Sequence, residues 1–299
     1  MSDSVISVQH LTKDYGMKRG VFDISLDIKK GEVFGYLGTN GSGKTTTIRH
    51  MMGFLKPDSG EVDVNGINPW KNAPEVMKNV SYIPGEIAFP DVKTGTDFFR
   101  VQAEFLGAKD FTYMNYLIDK LGLDPSANLK RMSKGMKQKT AIVAALMGDK
   151  EILIMDEPTT GLDPLMRETF LELVREEKQK GRTIFMSSHI FEEIEDVCDR
   201  VAIIGNGKIE SVLSLSDLRH GTKRNFRIAF GNEASAKKFA ERMPEAVLDK
   251  LEARVSLLAS ETDGLFKALR NLEVISVDEN HENLEQYFMN IYTEEEKKK

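Results

Sequence analysis

Gly38-Thr39-Asn40-Gly41-Ser42-Gly43-Lys44-Thr45 is the stretch that decides the fold. Its glycines let the backbone curl and aim N–H groups at a chain of phosphates, and a helix starting behind them adds positive potential. Both flanks suit that reading. Glu32 to Leu37 is strand-like, and after Thr45 a helix is expected with Ile48, Met51, Met52 and Leu55 on its apolar face. A strand, a glycine turn and a helix opening on Lys-Thr together make a P-loop, which predicts an α/β fold. Gly38 through Thr46 are accordingly assigned to a nucleotide, with the Lys44 ammonium bridging β- and γ-phosphates and the Thr45 hydroxyl on Mg²⁺.

Further along, Ile152-Leu153-Ile154-Met155-Asp156-Glu157 places two carboxylates at the end of a buried strand, where open α/β sheets bind ligands. Asp156 is expected to hold Mg²⁺, and Glu157 to orient and deprotonate an attacking water. Acids that merely cap a helix are the alternative. His189 follows a second strand-like run, Thr183 to Met186, and the pair Ser187-Ser188. A lone histidine at a strand end is more often structural, but beside a phosphate loop it becomes a candidate contact to a γ-phosphate.

The rest of the chain sets the frame. A length of 299 residues suggests two domains, and 40% hydrophobic with 29% charged residues suits folded globular domains. A net charge of −6 gives no basic field, so nucleic acid is not an expected partner. Apolar runs fall far short of the roughly 20 residues that cross a bilayer, and the N-terminus lacks the layout of a secretion signal, so the expected location is cytoplasmic. Cys198, the single cysteine, shares helical spacing with Ile194, Val197 and Val201 and reads as core.

Alternation in Ile24 to Ile28 and Glu61 to Val64 predicts antiparallel strands beside the main sheet. From about residue 90 to 147 the pattern is helical, through Phe98 to Leu106, Tyr113 to Leu121 and Ala141 to Met147. Between Ile152 and Met186 a helix over Leu165 to Gln179 makes a βαβ unit and a parallel sheet. After Gly221 the pattern changes. Strands near Phe226 to Phe230, Val247, Val255 and Val274 to Val277 alternate with helices carrying Phe239 and Met243, then Leu265, Phe266, Leu269 and Leu272. That β-α-β-β-α-β order predicts a small α+β ferredoxin-like domain over 222–299 behind a first domain over 1–221. Leu284, Tyr287, Phe288 and Ile291 form one more helical face, and Glu294 to Lys299 a solvated tail.

Taken jointly, these motifs resemble the ABC ATPase family over roughly Val5 to Leu213. Ser133-Lys134-Gly135-Met136-Lys137-Gln138 stands in the place of the family signature, usually Ser-Gly-Gly-Gln. The resemblance implies a P-loop ABC fold with an antiparallel β subdomain and a helical insert. It implies that Ser133 and Gly135 bind the γ-phosphate of ATP held by the other copy, so that two chains meet head to tail. Gly161-Leu162-Asp163 resembles the loop linking the two sites, and Tyr15 the aromatic that stacks on adenine; on its own, Tyr15 would be one more half-buried strand tyrosine.

Two stretches depart from the family pattern. Lys134 and Met136 replace the usual Gly and Gln, and Lys134, Lys137 and Lys139 crowd an expected helix N-terminus, where the macrodipole disfavours cations. An incoming triphosphate would relieve that conflict, although an ordinary exposed basic face would look the same. Gly85-Glu86 stands where the family has a glutamine that senses magnesium and the membrane partner, so Glu86 either reaches Mg²⁺ or docks that partner; docking is the expectation. The resemblance as a whole implies an ATPase, paired as a homodimer or with a related ATPase, powering a separate transmembrane permease from the inner face of the membrane. Asn40, the variant signature and the appended domain resemble exporters of drugs, antimicrobial peptides or lipids. Rival expectations are a soluble ABC protein acting on ribosomes or DNA, and a regulatory binder that does not turn over; Glu157 speaks against the second.

Overall fold

The computed structural model describes residues 4–219, 223–258, 261–280 and 284–289. Contacts divide the chain into two units, Met1–Leu213 and Ser214–Lys299. The first begins with strands β1 (Ser4–Asp14), β2 (Gly20–Lys29) and β3 (Val33–Leu37), helix α1 (Lys44–Met51), β4 (Ser59–Val64), α2 (Ala73–Asn79) and β5 (Val80–Ile83). Helices α3 (Gly95–Leu106), α4 (Thr112–Lys120) and α5 (Lys134–Leu146) follow. It closes with β6 (Ile152–Asp156), α6 (Pro164–Gln179), β7 (Thr183–Ser188), α7 (Phe191–Val197), β8 (Arg200–Gly205) and β9 (Lys208–Ser214).

Strands β3, β6 and β7 are buried along their whole length, because their apolar runs are covered on both faces as a parallel sheet requires. They sit side by side in a six-stranded sheet of order β5-β6-β7-β3-β8-β9, in which β5, β6, β7, β3 and β8 pair in parallel. The register sets Leu37 beside Ser188 and Asp156 beside Ser187. Three strand ends that carry the chemistry therefore reach one edge together, at their carboxyl ends. β8 and β9 were not read from the sequence; Val201 to Ile204 are all buried.

Strands β2, β1 and β4 form the antiparallel sheet, and their inward residues, among them Ile6, Leu11, Ile28 and Val64, share one core with Phe34, Ile48 and Phe185 of the main unit. Helix α7 packs tightly on β3: a Cβ at Gly35 would lie 2.7 Å from Ile194 and 3.1 Å from the sulfur of Cys198. Cys198 is buried as expected, though α7 stops at Val197 and Val201 belongs to β8.

One helix limit differs from expectation. Helix α1 ends at Met51, with Gly53 at φ 70, so Leu55 lies beyond it. Helix α5 starts at Lys134, where the lysines crowd the expected N-terminus, and the Ser133 hydroxyl caps it by accepting the Met136 N–H at 3.2 Å. The insert opens on a reciprocal cap between Thr94 and Asp97 and meets α6 through polar groups. There the buried Glu177 accepts from the Tyr113 hydroxyl, from Lys180 at 2.8 Å, and pairs with Arg182 at 2.6 Å.

The second unit holds α8 (Leu215–Arg219), β10 (Lys223–Phe230), α9 (Glu233–Arg242), β11 (Val247–Asp249), β12 (Glu252–Leu258), α10 (Thr262–Leu269) and β13 (Val274–Asn280). Its antiparallel sheet has the order β11-β12-β10-β13, the ferredoxin-like arrangement expected from the element order. Phe226, Ile228, Val255 and Leu257 pack with Phe239 and Leu265 from the helices. Of the residues expected on the second helix, Phe266 is 59% exposed and Leu272 lies beyond the end of α10 at Leu269. A helical stretch over 284–289 buries Leu284 and Phe288, while Gly221, Thr222, Ile291 and the tail from Glu294 to Lys299 lie outside the described residues.

Candidate functional site

The loop between β3 and α1 takes its shape from glycines at left-handed φ, Gly41 at 82° and Gly43 at 112°. Gly43 also meets the wall of the antiparallel sheet, where a Cβ would lie 2.7 Å from Val21. Lys44 is buried, and its Nζ donates to the carbonyls of Gly38 at 2.7 Å and Thr39 at 3.1 Å. The hydroxyl of Ser42 is buried in the same loop without a hydrogen-bond partner among the described residues. An orphan donor in a loop of this shape fits a phosphate oxygen.

Asp156 is 1% exposed and held from both sides: Oδ2 accepts from the Thr45 hydroxyl at 2.6 Å, Oδ1 from the Ser187 hydroxyl at 2.7 Å. Glu157 follows at φ 48, a left-handed conformation rare for its residue type and typical of active sites, and its N–H donates to Ser187 Oγ at 3.0 Å. Its Oε1 lies 3.1 Å from Lys44 Nζ, and its Oε2 3.2 Å from His189 Nδ1. The carboxylate of Glu157 is thus suspended between a cation and an imidazole. Among the described residues no group of three or more His, Cys, Asp and Glu could hold a metal. The hard oxygens of Thr45 and Asp156 are donors of the kind that suits Mg²⁺.

Beside this cluster a cavity of about 350 Å³ is lined by Arg49, Tyr82, Pro84, Gly85 and Glu86 together with Thr45, Asp156 and Glu157. A Cβ at Gly85 would lie 3.1 Å from Asp156 Oδ2, so a side chain there would start toward the acid, whereas glycine leaves that approach open. Glu86 itself is exposed.

The pattern that defines the family described as ABC transporter matches residues 21–160 of this chain. The chain is similar to the bacitracin transport ATP-binding protein of Bacillus licheniformis, 34% identical over 77% of each protein. It is also similar to the linearmycin resistance ATP-binding protein of Bacillus subtilis, 31% identical over 96% of this chain and 98% of that one. A solved ATP-binding subunit of an ABC transporter superposes with a TM-score of 0.66 at 31% identity, covering 72% of this chain and 92% of the other. This chain is an ATPase of the ABC transporter family.

In this ABC ATPase the remaining candidates make no hydrogen bond or ion pair to the Lys44–Asp156–Glu157–His189 cluster among the described residues. Tyr15 lies in the turn after β1, closed by its N–H donating to the Arg19 carbonyl at 2.8 Å, and is 54% exposed rather than a half-buried strand residue. Ser133 caps α5, and Asp163 caps α6 by accepting the Met166 N–H at 3.0 Å. Gly135 is tied to the Gly161 loop of the same chain, since a Cβ at 135 would lie 2.8 Å from the Gly161 carbonyl oxygen. No ion pair neutralises Lys134, Lys137 or Lys139 among the described residues, and no acid occupies the first turn of α5.

Sequence reading missed several side chains that build the site. Ser187 bridges the two acids. Gln138 donates to the Pro158 carbonyl at 2.6 Å, pinning α5 to the loop after Glu157. Glu193, 1% exposed, accepts from Thr159 at 3.0 Å and Ser188 at 2.9 Å, and burial pushes its carboxyl up against the effect of those donors. Only its spacing after His189 could have drawn attention to it.

Proposed function

We propose that this ABC ATPase hydrolyses ATP at two composite sites formed by a head-to-tail pair, driving a separate transmembrane permease. The suspended carboxylate of Glu157 carries the reading: an acid fixed between Lys44 and His189, next to a hydroxyl–carboxylate pair suited to Mg²⁺, is arranged to act on water beside a phosphate. Lys44 offsets charge on the β- and γ-phosphates, with the loop from Gly38 to Thr46 supplying backbone donors. Glu157 orients the water and takes its proton, and His189, its Nδ1 engaged by Glu157, keeps Nε2 for the γ-phosphate. Thr45 and Asp156 would hold Mg²⁺, which when bound would supply positive charge to offset the charge of the triphosphate. Tyr15, exposed beside its turn, stacks on adenine.

Ser133, Gly135 and Lys134, which has no ion pair among the described residues, face the triphosphate of the second copy at the α5 N-terminus, where the macrodipole and the lysine charge both favour an anion. Asp163 stands at the seam between copies. No helix among the described residues is long and apolar enough to cross a membrane, which suits a subunit held at the inner face by its permease. Relatives named for bacitracin transport and linearmycin resistance support export of a drug, antimicrobial peptide or lipid. Two variants test the chemistry. Lys44→Ala should lose productive ATP binding, whereas Glu157→Gln should bind ATP and fail to release phosphate; phosphate release by Glu157→Gln at the unmodified rate would refute the assignment.

A further inference from the structure

Glu193 sits in α7, four residues after His189, and its carboxylate is almost fully enclosed. A carboxylate so buried is costly unless donors converge on it. Ser188 and Thr159 both donate to Oε2, at 2.9 and 3.0 Å, and Arg167 Nε lies 3.1 Å from Oε1. The Arg167 contact is an ion pair by distance without the alignment of a hydrogen bond.

Each donor belongs to a different segment around the proposed hydrolytic site. Ser188 ends β7; its carbonyl accepts the Gly38 N–H at 3.2 Å and its hydroxyl the Ile190 N–H at 3.0 Å, so it brackets His189. Thr159 lies in the loop that follows Glu157. Arg167 is in the first turn of α6, its N–H donating to the Asp163 carbonyl at 2.9 Å, directly behind Gly161-Leu162-Asp163. One buried acid therefore gathers the histidine segment, the loop after the general base and the helix behind the seam.

We propose that Glu193 is a positioning residue of the hydrolytic step, setting the His189–Glu157 geometry and coupling it to the Gly161-Leu162-Asp163 loop. The proposal rests on the assignment of Glu157 and His189 to hydrolysis given above. An acid that only anchored α7 would be indifferent to His189. A positioning acid shares its effect with that residue, because both act through the orientation of Glu157.

The test measures ATP affinity, turnover and melting temperature for Glu193→Ala and Glu193→Gln in the full chain. ATP affinity should hold, since the contacts of Lys44 are untouched, while kcat falls by roughly tenfold to a hundredfold as the reacting groups shift. Glu193→Gln, whose amide oxygen still accepts from both hydroxyls, should keep more activity than Glu193→Ala. Adding His189→Ala to Glu193→Ala should cost little further. Unmodified kcat in Glu193→Ala, losses that multiply with His189→Ala, or affinity and turnover falling together with melting temperature would overturn the proposal. If Glu193→Ala does not fold, Glu193→Gln and Thr159→Val carry the same comparison. Failure of the underlying reading would look different: Glu157→Gln would then release phosphate at the unmodified rate whatever the Glu193 variants do.

Discussion

Replacing Ser187 by alanine removes one buried hydroxyl that serves both acids, donating to Asp156 at 2.7 Å and accepting the Glu157 N–H at 3.0 Å. The side chain is fully buried, so no water takes over either bond in the folded state. Losing a hydrogen bond to a carboxylate and leaving an amide unpaired should together cost about 2 to 4 kcal/mol, a large fraction of a typical domain's stability. The same bond supports the left-handed backbone of Glu157, so kcat should also fall, by roughly tenfold or more, as its carboxylate loses its aim. Trp70, the only tryptophan, lies in the first unit, so its fluorescence during denaturant unfolding reports on the unit that holds the site. A Ser187→Ala protein that unfolds at the unmodified denaturant concentration and turns over ATP normally would refute this account of how the acids are held.

Arg182→Met should cost about 3 kcal/mol, because Glu177 is fully buried and would keep only Lys180 and the Tyr113 hydroxyl; thermal unfolding reads the loss, and a second change, Glu177→Leu, should recover most of it. Glu86→Gln should leave the isolated subunit's magnesium requirement and basal hydrolysis nearly unchanged while weakening stimulation by the permease; a large shift in the magnesium requirement with stimulation intact would instead place Glu86 on the metal. Removal of the segment from about Thr222 onward should leave ATP binding in place, as calorimetric titration would show, because every nucleotide motif lies upstream.

The phosphate loop and the two acids were legible because their signals are local: glycines, Lys-Thr, and an apolar run ending in Asp156-Glu157. Ser187 and Glu193 were not, since their roles exist only once the parallel register sets Asp156 beside Ser187 and α7 folds back over the Thr159 loop. The start of α5 was legible from the lysines that crowd it, whereas the cap itself was not, because Ser133 was read as a phosphate contact while its hydroxyl also starts the helix. Phe266 shows a limit of periodicity. Adjacent residues on a helix point about 100° apart, so α10 buries Leu265 and leaves Phe266 at the edge of its narrower face, whereas α3 buries both Phe98 and Phe99. The ferredoxin-like unit was legible as an element order, since each alternating strand buries one face against its helices.

Composite sites make the central claim, and the mass of Glu157→Gln in solution at saturating ATP tests it most directly. With hydrolysis blocked and Lys44 intact, each bound triphosphate should hold the phosphate loop of one copy against Ser133 and Gly135 of the other. Light scattering on the eluting protein should then report the mass of two chains with ATP and of one chain without it. A Glu157→Gln protein that binds ATP fully and still elutes with the mass of a single 33.7 kDa chain would contradict the account.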